Sequence, residues 1–187
     1  MPASTYLVQG PRVAIRHVRR QDYEELTALG RESSEMLQRW LSARESTLEA
    51  FQGYLKRFEQ PTHEGFVICL RGTGAIVGGI NINNIVRGTL QSGTLGYTAY
   101  ASTTGYGYMT EGLGLVIQLA FGQLTLHRLE ANIQPENTPS LRLVKRLGFR
   151  QEGYSAGFQF IDGAWRDHER WAIAIDMAQA EATPQTS

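Results

Sequence analysis

The chain has 187 residues, 18 basic and 18 acidic, and 42% of them are hydrophobic, enough apolar material for one domain with a full core. Balanced charge gives no general attraction for bulk nucleic acid or an anionic membrane, and no apolar run approaches the ~18 residues of a membrane span. The lone cysteine, Cys69, excludes an internal disulfide and fits a reducing compartment, and the N-terminus lacks the basic-then-apolar pattern of a secretory signal, so the expected location is the cytoplasm.

Residues 1–10 read as a loose leader. Val13 and Ile15 then alternate with Arg12 and Arg16 as a first strand. Arg12, Arg16, Arg19 and Arg20 concentrate positive charge there, and a solvated face accounts for it. Residues 22–30, 33–41 and 46–58 read as helices, the third with Leu48, Phe51, Tyr54, Leu55 and Phe58 on one stripe. Residues 65–71 form a strand whose apolar run buries Cys69 as a structural thiol. Gly72-Thr73-Gly74 turns it into the strand 76–86, and a loop over 87–93 leads to the strand 94–100. The helix after residue 107 carries Met109, Leu113, Val116, Ile117, Ala120, Phe121 and Leu124 on one apolar face, which core packing explains. Residues 128–134 alternate as a strand, with Leu129, Ala131 and Ile133 on one side and Glu130, Asn132 and Gln134 on the other. Thr138 reads as an N-cap with Pro139 at the first helical position, and that helix stops at Gly148. Residues 149–161 and 165–175 form a hairpin around Asp162-Gly163, a type I′ pair. A small, polar tail over 178–187 frays. The expected fold is α+β, one domain over residues 11–177 around a mixed sheet. Four scattered histidines, His17, His63, His127 and His168, have no metal-ligand spacing, so no metal is expected.

The run Thr103-Thr104-Gly105-Tyr106-Gly107-Tyr108-Met109-Thr110-Glu111 joins strand to helix. Two glycines one residue apart let backbone N–H groups approach a ligand closely, and the helix N-terminus points its partial positive charge at the same place. This is a cradle for phosphate or pyrophosphate, or a tight turn with no ligand. It is neither a dinucleotide fingerprint, since Thr110 stands where a third glycine would be, nor a P-loop. Asn137 and Ser140 open the next helix, where local capping is the plain alternative to a ligand contact.

In this order the segments resemble the GNAT superfamily of N-acetyltransferases, more narrowly the RimJ/RimL-type ribosomal-protein-alanine acetyltransferases. The resemblance covers about residues 10–177 and rests on Asn84-Ile85-Val86-Arg87-Gly88, Leu95-Gly96-Tyr97, Gly105 to Glu111, Asn137-Thr138-Pro139-Ser140, Leu147-Gly148-Phe149 with Glu152-Gly153-Tyr154, and the segment from Ile161 to His168. It implies a mostly antiparallel sheet with helices on both faces and acetyl-CoA as donor. Gly105, Tyr106, Gly107, Tyr108, Met109 and Thr110 would hold the pyrophosphate. The strand at Thr98, Ala99 and Tyr100 would hold the pantetheine arm, Asn137 would contact it, and Ser140 would sit near the sulfur. Members of the superfamily often carry Gln or Arg three residues before a glycine of this loop. Here Thr104 or Ser102 stands there, which removes a side-chain contact but not the backbone cradle.

Acetyl transfer to an amine needs a neutral nitrogen, a fixed donor for the oxyanion, and a proton for the leaving thiolate. A backbone N–H of residues 98–101 is placed for the second and Ser140 for the third, unless Ser140 serves only its helix terminus. An α-amine of pKa about 7.7–8.0 is already about 10–15% neutral at pH 7, and a lysine near 10.4 is under ~0.1% neutral. The candidate base is Glu130, with a sheet-rim carboxylate as the plain alternative. Gln159 stands where RimL-like relatives can carry an acid, and Glu111 is explained by the helix N-terminus. Trp40 either lines the acceptor groove or packs in the core. Trp165, with Asp162, Arg166, Asp167 and His168, shapes the same end. The acceptor is expected to be the N-terminal α-amine (Ala or Ser) of a ribosomal or other protein, or a small-molecule amine or amino acid, and a non-catalytic acyl-CoA-binding or ribosome-associated module is the alternative of another class. A monomer or homodimer is expected.

Overall fold

The computed structural model describes residues 6–41 and 47–182. Eight strands form one sheet: β1 (Val8–Gln9), β2 (Val13–His17), β3 (Glu64–Leu70), β4 (Ile76–Val86), β5 (Ser92–Ala99), β6 (Arg128–Ile133), β7 (Arg150–Ile161) and β8 (Ala164–Ala174). Their spatial order is β1-β2-β3-β4-β5-β6-β8-β7. Every neighbouring pair is antiparallel except β5 with β6. Helices α1 (Tyr23–Glu32), α2 (Ser34–Leu37) and α3 (Leu48–Lys56) lie between β2 and β3. Helix α4 (Tyr108–Gly122) joins β5 to β6, α5 (Thr138–Arg146) joins β6 to β7, and α6 (Ile175–Ala182) follows β8. The parallel pair requires the long α4 crossover, whereas tight turns suffice for the hairpins. At the β7–β8 turn Asp162 and Gly163 both take positive φ, 49° and 77°, as a type I′ turn demands.

The pleat sorts side chains onto two faces. Val13, Ile15, Phe66, Ile68, Ile80, Ile82, Leu95, Leu129, Ala131 and Ile133 form the main core with Leu113, Val116 and Ala120 of α4. Leu113 and Val116 are 0% exposed, and each such burial contributes about 1.5–3 kcal/mol. Gly112 lets α4 lie close to the sheet, because a Cβ there would stand 2.4 Å from Cδ1 of Ile68. The opposite face carries a smaller cluster of Val67, Cys69, Ile76 and Tyr100, packed by Leu26 and Leu29 of α1. On that face Tyr54 of α3 donates to Asn81 Oδ1 at 2.8 Å.

Several expectations are corrected. Residues 1–10 are not wholly a loose leader, since Val8 and Gln9 pair with Ile15 and Ala14. The third helix starts at Leu48 behind the N-cap Thr47, and Ser46 lies outside the described residues. Residue 178 is helical within α6, while 183–187 lie outside the described residues. Arg16 is not on a solvated face: it is buried and paired with Asp22 at 2.8 and 2.9 Å. The N-cap of α5 is Asn137 rather than Thr138.

One irregularity positions the site. Pairing of β5 with β6 runs only from Ser92↔Arg128 to Leu95↔Ala131. Gly96 to Ala99 keep their β4 partners but have none on β6. The two parallel strands separate and leave a gap in the middle of the sheet.

Candidate active site

The glycine loop lies at the far end of β5, beside this gap. Thr103 Oγ1 donates to the Val77 carbonyl at 2.9 Å and Thr104 Oγ1 to the Ala101 carbonyl at 3.0 Å, which pins the loop's stem. Gly105 and Gly107 sit at φ 84° and 79°, the left-handed region that a Cβ disfavours. Gly107 is the N-cap of α4, and the first bond into the helix is Glu111 N–H to the Gly107 carbonyl at 3.1 Å. The amides of Tyr108, Met109 and Thr110 therefore have no intrahelical partner, and they point out of the N-terminus of a 15-residue helix. Tyr106 and Tyr108 stack at 5.5 Å.

A support unforeseen from the sequence holds this loop. Arg12, immediately before β2, donates through Nε to Glu111 Oε2 at 2.8 Å and through a terminal nitrogen to the Tyr106 carbonyl at 2.8 Å. Its guanidinium lies 5.3 Å from the Tyr108 ring centroid. Glu111 Oε1 accepts from the N–H groups of Arg12 and Val13 at 2.7 and 3.0 Å. Burial pushes the Glu111 carboxyl up, but those two amides and the Arg12 guanidinium outweigh it and hold it below the usual carboxylate range. Glu111 is thus a brace between β2 and α4.

Across the gap, Tyr97 of β5 meets Ser140 in the first turn of α5, with the two hydroxyl oxygens 2.5 Å apart. Asn137 Oδ1 accepts the Ser140 backbone N–H at 3.2 Å, as an N-cap side chain does for the third helical residue. Burial pushes the Tyr97 phenol up to about 12, against the partial relief of its bond to Ser140. As the more acidic hydroxyl of the pair, Tyr97 is the better donor, which leaves the Ser140 proton free to point elsewhere. Of the amides expected to hold an oxyanion, Ala101 is unavailable, because its N–H donates to the buried Ser33 Oγ at 2.9 Å. Alternate residues of 96–99 direct their amide groups into the gap.

On the sheet face away from α4 lies a groove of about 720 Å³ between α1, α2, α3 and strands β4 and β5. Gly96, Thr98 and Tyr100 form its floor, and Arg31 and Arg57 line it with no Asp or Glu among its described lining residues. Trp40 lies just outside this lining, in the turn after α2, which ends at Leu37 and not at residue 41 as expected, and its carbonyl accepts from Gln134 Nε2 at 3.4 Å. Trp165 is not brought to the groove: it is 67% exposed and packs edge-on against Phe160 at the hairpin end. Asp167 there accepts from Tyr154 and from the Gly157 amide. Ala99 pairs with Gly78 of β4.

Glu130 does not come to the Tyr97–Ser140 contact. It pairs with Thr94, before the strands part. Its two oxygens are held by Arg128 at 2.9 Å and Arg170 at 3.4 Å, and Arg128 also grips Glu152. The two guanidiniums tie the carboxylate into an ion-pair network that joins β6 to β7 and β8. No cluster of three or more His, Cys, Asp or Glu suited to a metal ion occurs among the described residues, and none of their helices is long and apolar enough to cross a membrane.

A sheet opened between two parallel strands, with free amides at a helix N-terminus beside the opening, can seat an extended ligand with an anionic end. The chain belongs to the GNAT acetyltransferase family: residues 12–150 match the Acetyltransferase (GNAT) domain. It is 30% identical over 174 residues, 89% of the chain and 96% of the relative, to the probable N-acetyltransferase YjcK of Bacillus subtilis. It is 40% identical over 98 residues, 52% of the chain and 50% of the relative, to the ribosomal protein uS5-alanine N-acetyltransferase of Escherichia coli. The structure superposes on Mycobacterium smegmatis RimJ in complex with CoA-disulfide with a TM-score of 0.82 and 31% identity, covering 94% of this chain and 88% of that one.

Proposed function

We propose that the chain transfers the acetyl group of acetyl-CoA to the N-terminal α-amine of a protein, of the kind found on a ribosomal protein beginning with alanine or serine, in the cytoplasm. The observation that carries this reading is the acceptor groove. A polyamine or aminoglycoside is held through carboxylates, whereas the described lining offers Arg31 and Arg57 and no acid. Such a groove suits one amine on a body that is neutral or acidic. Its volume suits a short extended segment of chain rather than a single methylamine.

The residues present fit the donor. The amides of Tyr108, Met109 and Thr110 suit a pyrophosphate. The open edge of β5 suits an extended arm with amide groups, which it would meet as a missing strand. Asn137 Nδ2 has no partner among the described residues and is free to donate to that arm. Ser140 then stands at the sulfur. A thiol leaves with a pKa of about 8.5, and Tyr97 sits at about 12. Complete transfer of the Tyr97 proton would be uphill by roughly 3–4 pKa units, about 4–5 kcal/mol. The Tyr97–Ser140 pair therefore stabilises the departing thiolate by a hydrogen bond, and the proton that finally caps the sulfur comes from the acetylated nitrogen through water. The N–C bond forms as the carbonyl oxygen becomes an oxyanion, and the C–S bond breaks when that tetrahedral species collapses. No strong base is required, since about 10–15% of an α-amine is neutral at pH 7.

Thiol release from acetyl-CoA, measured with Ala- and Ser-starting peptides, spermidine, an aminoglycoside and free amino acids, tests the proposal. Turnover with peptides, improved by acidic residues after the first and weakened by basic ones, is expected. Turnover confined to free amines would refute it.

A further inference from the structure

One side-chain atom among the described residues is buried with no hydrogen-bond partner: Oδ1 of Asn132. Buried polar atoms are almost always paired, and one left alone is a cost to the fold. Its place is specific. Asn132 is the first residue of β6 beyond the last β5–β6 pair, Leu95↔Ala131, so it stands at the mouth of the gap. By strand alternation it shares a sheet face with Glu130 and Gln134, the face opposite the α4 core. Gly96 and Thr98, across the gap on that face, are floor residues of the acceptor groove.

The two nearest side-chain donors are turned elsewhere. Arg170, its register partner on β8, is turned to Glu130 at 3.4 Å and over the Phe158 ring at 5.1 Å. Gln134 is turned to the Trp40 carbonyl. Neither side chain supplies the missing donor, and a ligand entering at the gap is placed to supply it. Amides of the donor arm and the acceptor amine both carry N–H groups, but Tyr97 and Ser140 meet on the other side of the sheet, with α5. The orphan oxygen is buried at the edge of the gap, on the sheet face that carries the groove.

We propose that Asn132 is an acceptor-positioning residue: Oδ1 receives a hydrogen bond from the attacking primary amine and turns the nitrogen lone pair toward the gap. Asn132 takes no proton. As the N–C bond forms, the nitrogen becomes positive and the bond to Oδ1 strengthens, so the contact favours the transition state as well as binding. The inference rests on the groove being the acceptor site.

The test uses the full chain and whichever acceptor the wild type turns over best, peptide or free amine, so a wrong acceptor class is read from the wild type alone. Asn132→Ala should lower kcat/KM for the acceptor by about 10- to 100-fold. Affinity for CoA, by calorimetry, should stay within about threefold. Asn132→Asp, which keeps an oxygen there, should recover much of the loss. The melting temperature of the ligand-free Asn132→Ala protein should not fall, because the oxygen it removes bonds to nothing. An unchanged kcat/KM, a loss residing in CoA affinity, or a drop in ligand-free stability would each overturn the proposal.

Discussion

Replacing Ser140 by alanine removes one hydroxyl and leaves the cap of α5 intact, because Asn137 Oδ1 accepts the backbone N–H at that position. Two effects follow. A hydrogen bond to a developing thiolate is charge-assisted and contributes about 1.5–3 kcal/mol, which is about 10- to 150-fold in kcat. The Tyr97 hydroxyl also loses the partner it meets at 2.5 Å. A stranded, part-buried hydroxyl costs up to about 1 kcal/mol, a melting temperature lower by up to about 4 °C for a chain of this size. Thiol release at saturating substrates measures the first effect, thermal unfolding the second, and calorimetry with CoA should change little. The double variant Tyr97→Phe/Ser140→Ala should melt above Ser140→Ala, because it removes the stranded group. Since Tyr97 is raised to about 12, its contribution to stability is whole below its unfolded value near 10 and falls as pH rises toward about 12. A kcat for Ser140→Ala within twofold of wild type would refute the role at the sulfur.

Gly107→Ala places a side chain at φ 79° and within 3.3 Å of the Arg12 guanidinium, so CoA affinity should weaken by about tenfold or more through strain in the cradle; unchanged affinity would show that the loop does not bind. Glu111→Gln should melt below wild type at pH 7, with the difference closing as pH falls. The brace is whole above the unfolded value of about 4.3 and is lost as pH drops through the lower folded one. Thermal melts at pH 7 and pH 3 check this. Glu130→Gln should keep kcat within about threefold, because both oxygens are held by arginines; a fall beyond about thirtyfold would restore Glu130 as the base.

Local signals were readable and remote ones were not. Period-2 and period-3.6 runs mark the strands and α4, and Asp162-Gly163 marks its turn, because each depends on neighbours a few residues away. The N-cap of α5 was displaced by one residue, since Asn137 and Thr138 are both competent caps and only the reach of Asn137 to Ser140 decides. The loop proposed to hold CoA was visible as glycines before a helix. Tyr97 was not visible as a functional residue: in an alternating strand it reads as one more aromatic, and its partner lies 43 positions on. Glu130 shows the converse. Arg128, two residues away, is legible beside it, but Arg170 and Glu152 arrive through β8 and β7. The orphan Asn132 oxygen has no sequence signature, because a missing partner is a property of the packed surroundings.

The parting of β5 from β6 also bears on the order of events. In the proposed function the floor of the groove, Gly96 and Thr98, belongs to the stretch of strand that has no β6 partner and along which the donor's arm would lie. An acceptor arriving first would rest on an incomplete surface, with no carbonyl to attack. Kinetically the two substrates should enter in sequence, donor before acceptor, and CoA should leave last, carrying away the wall it supplied.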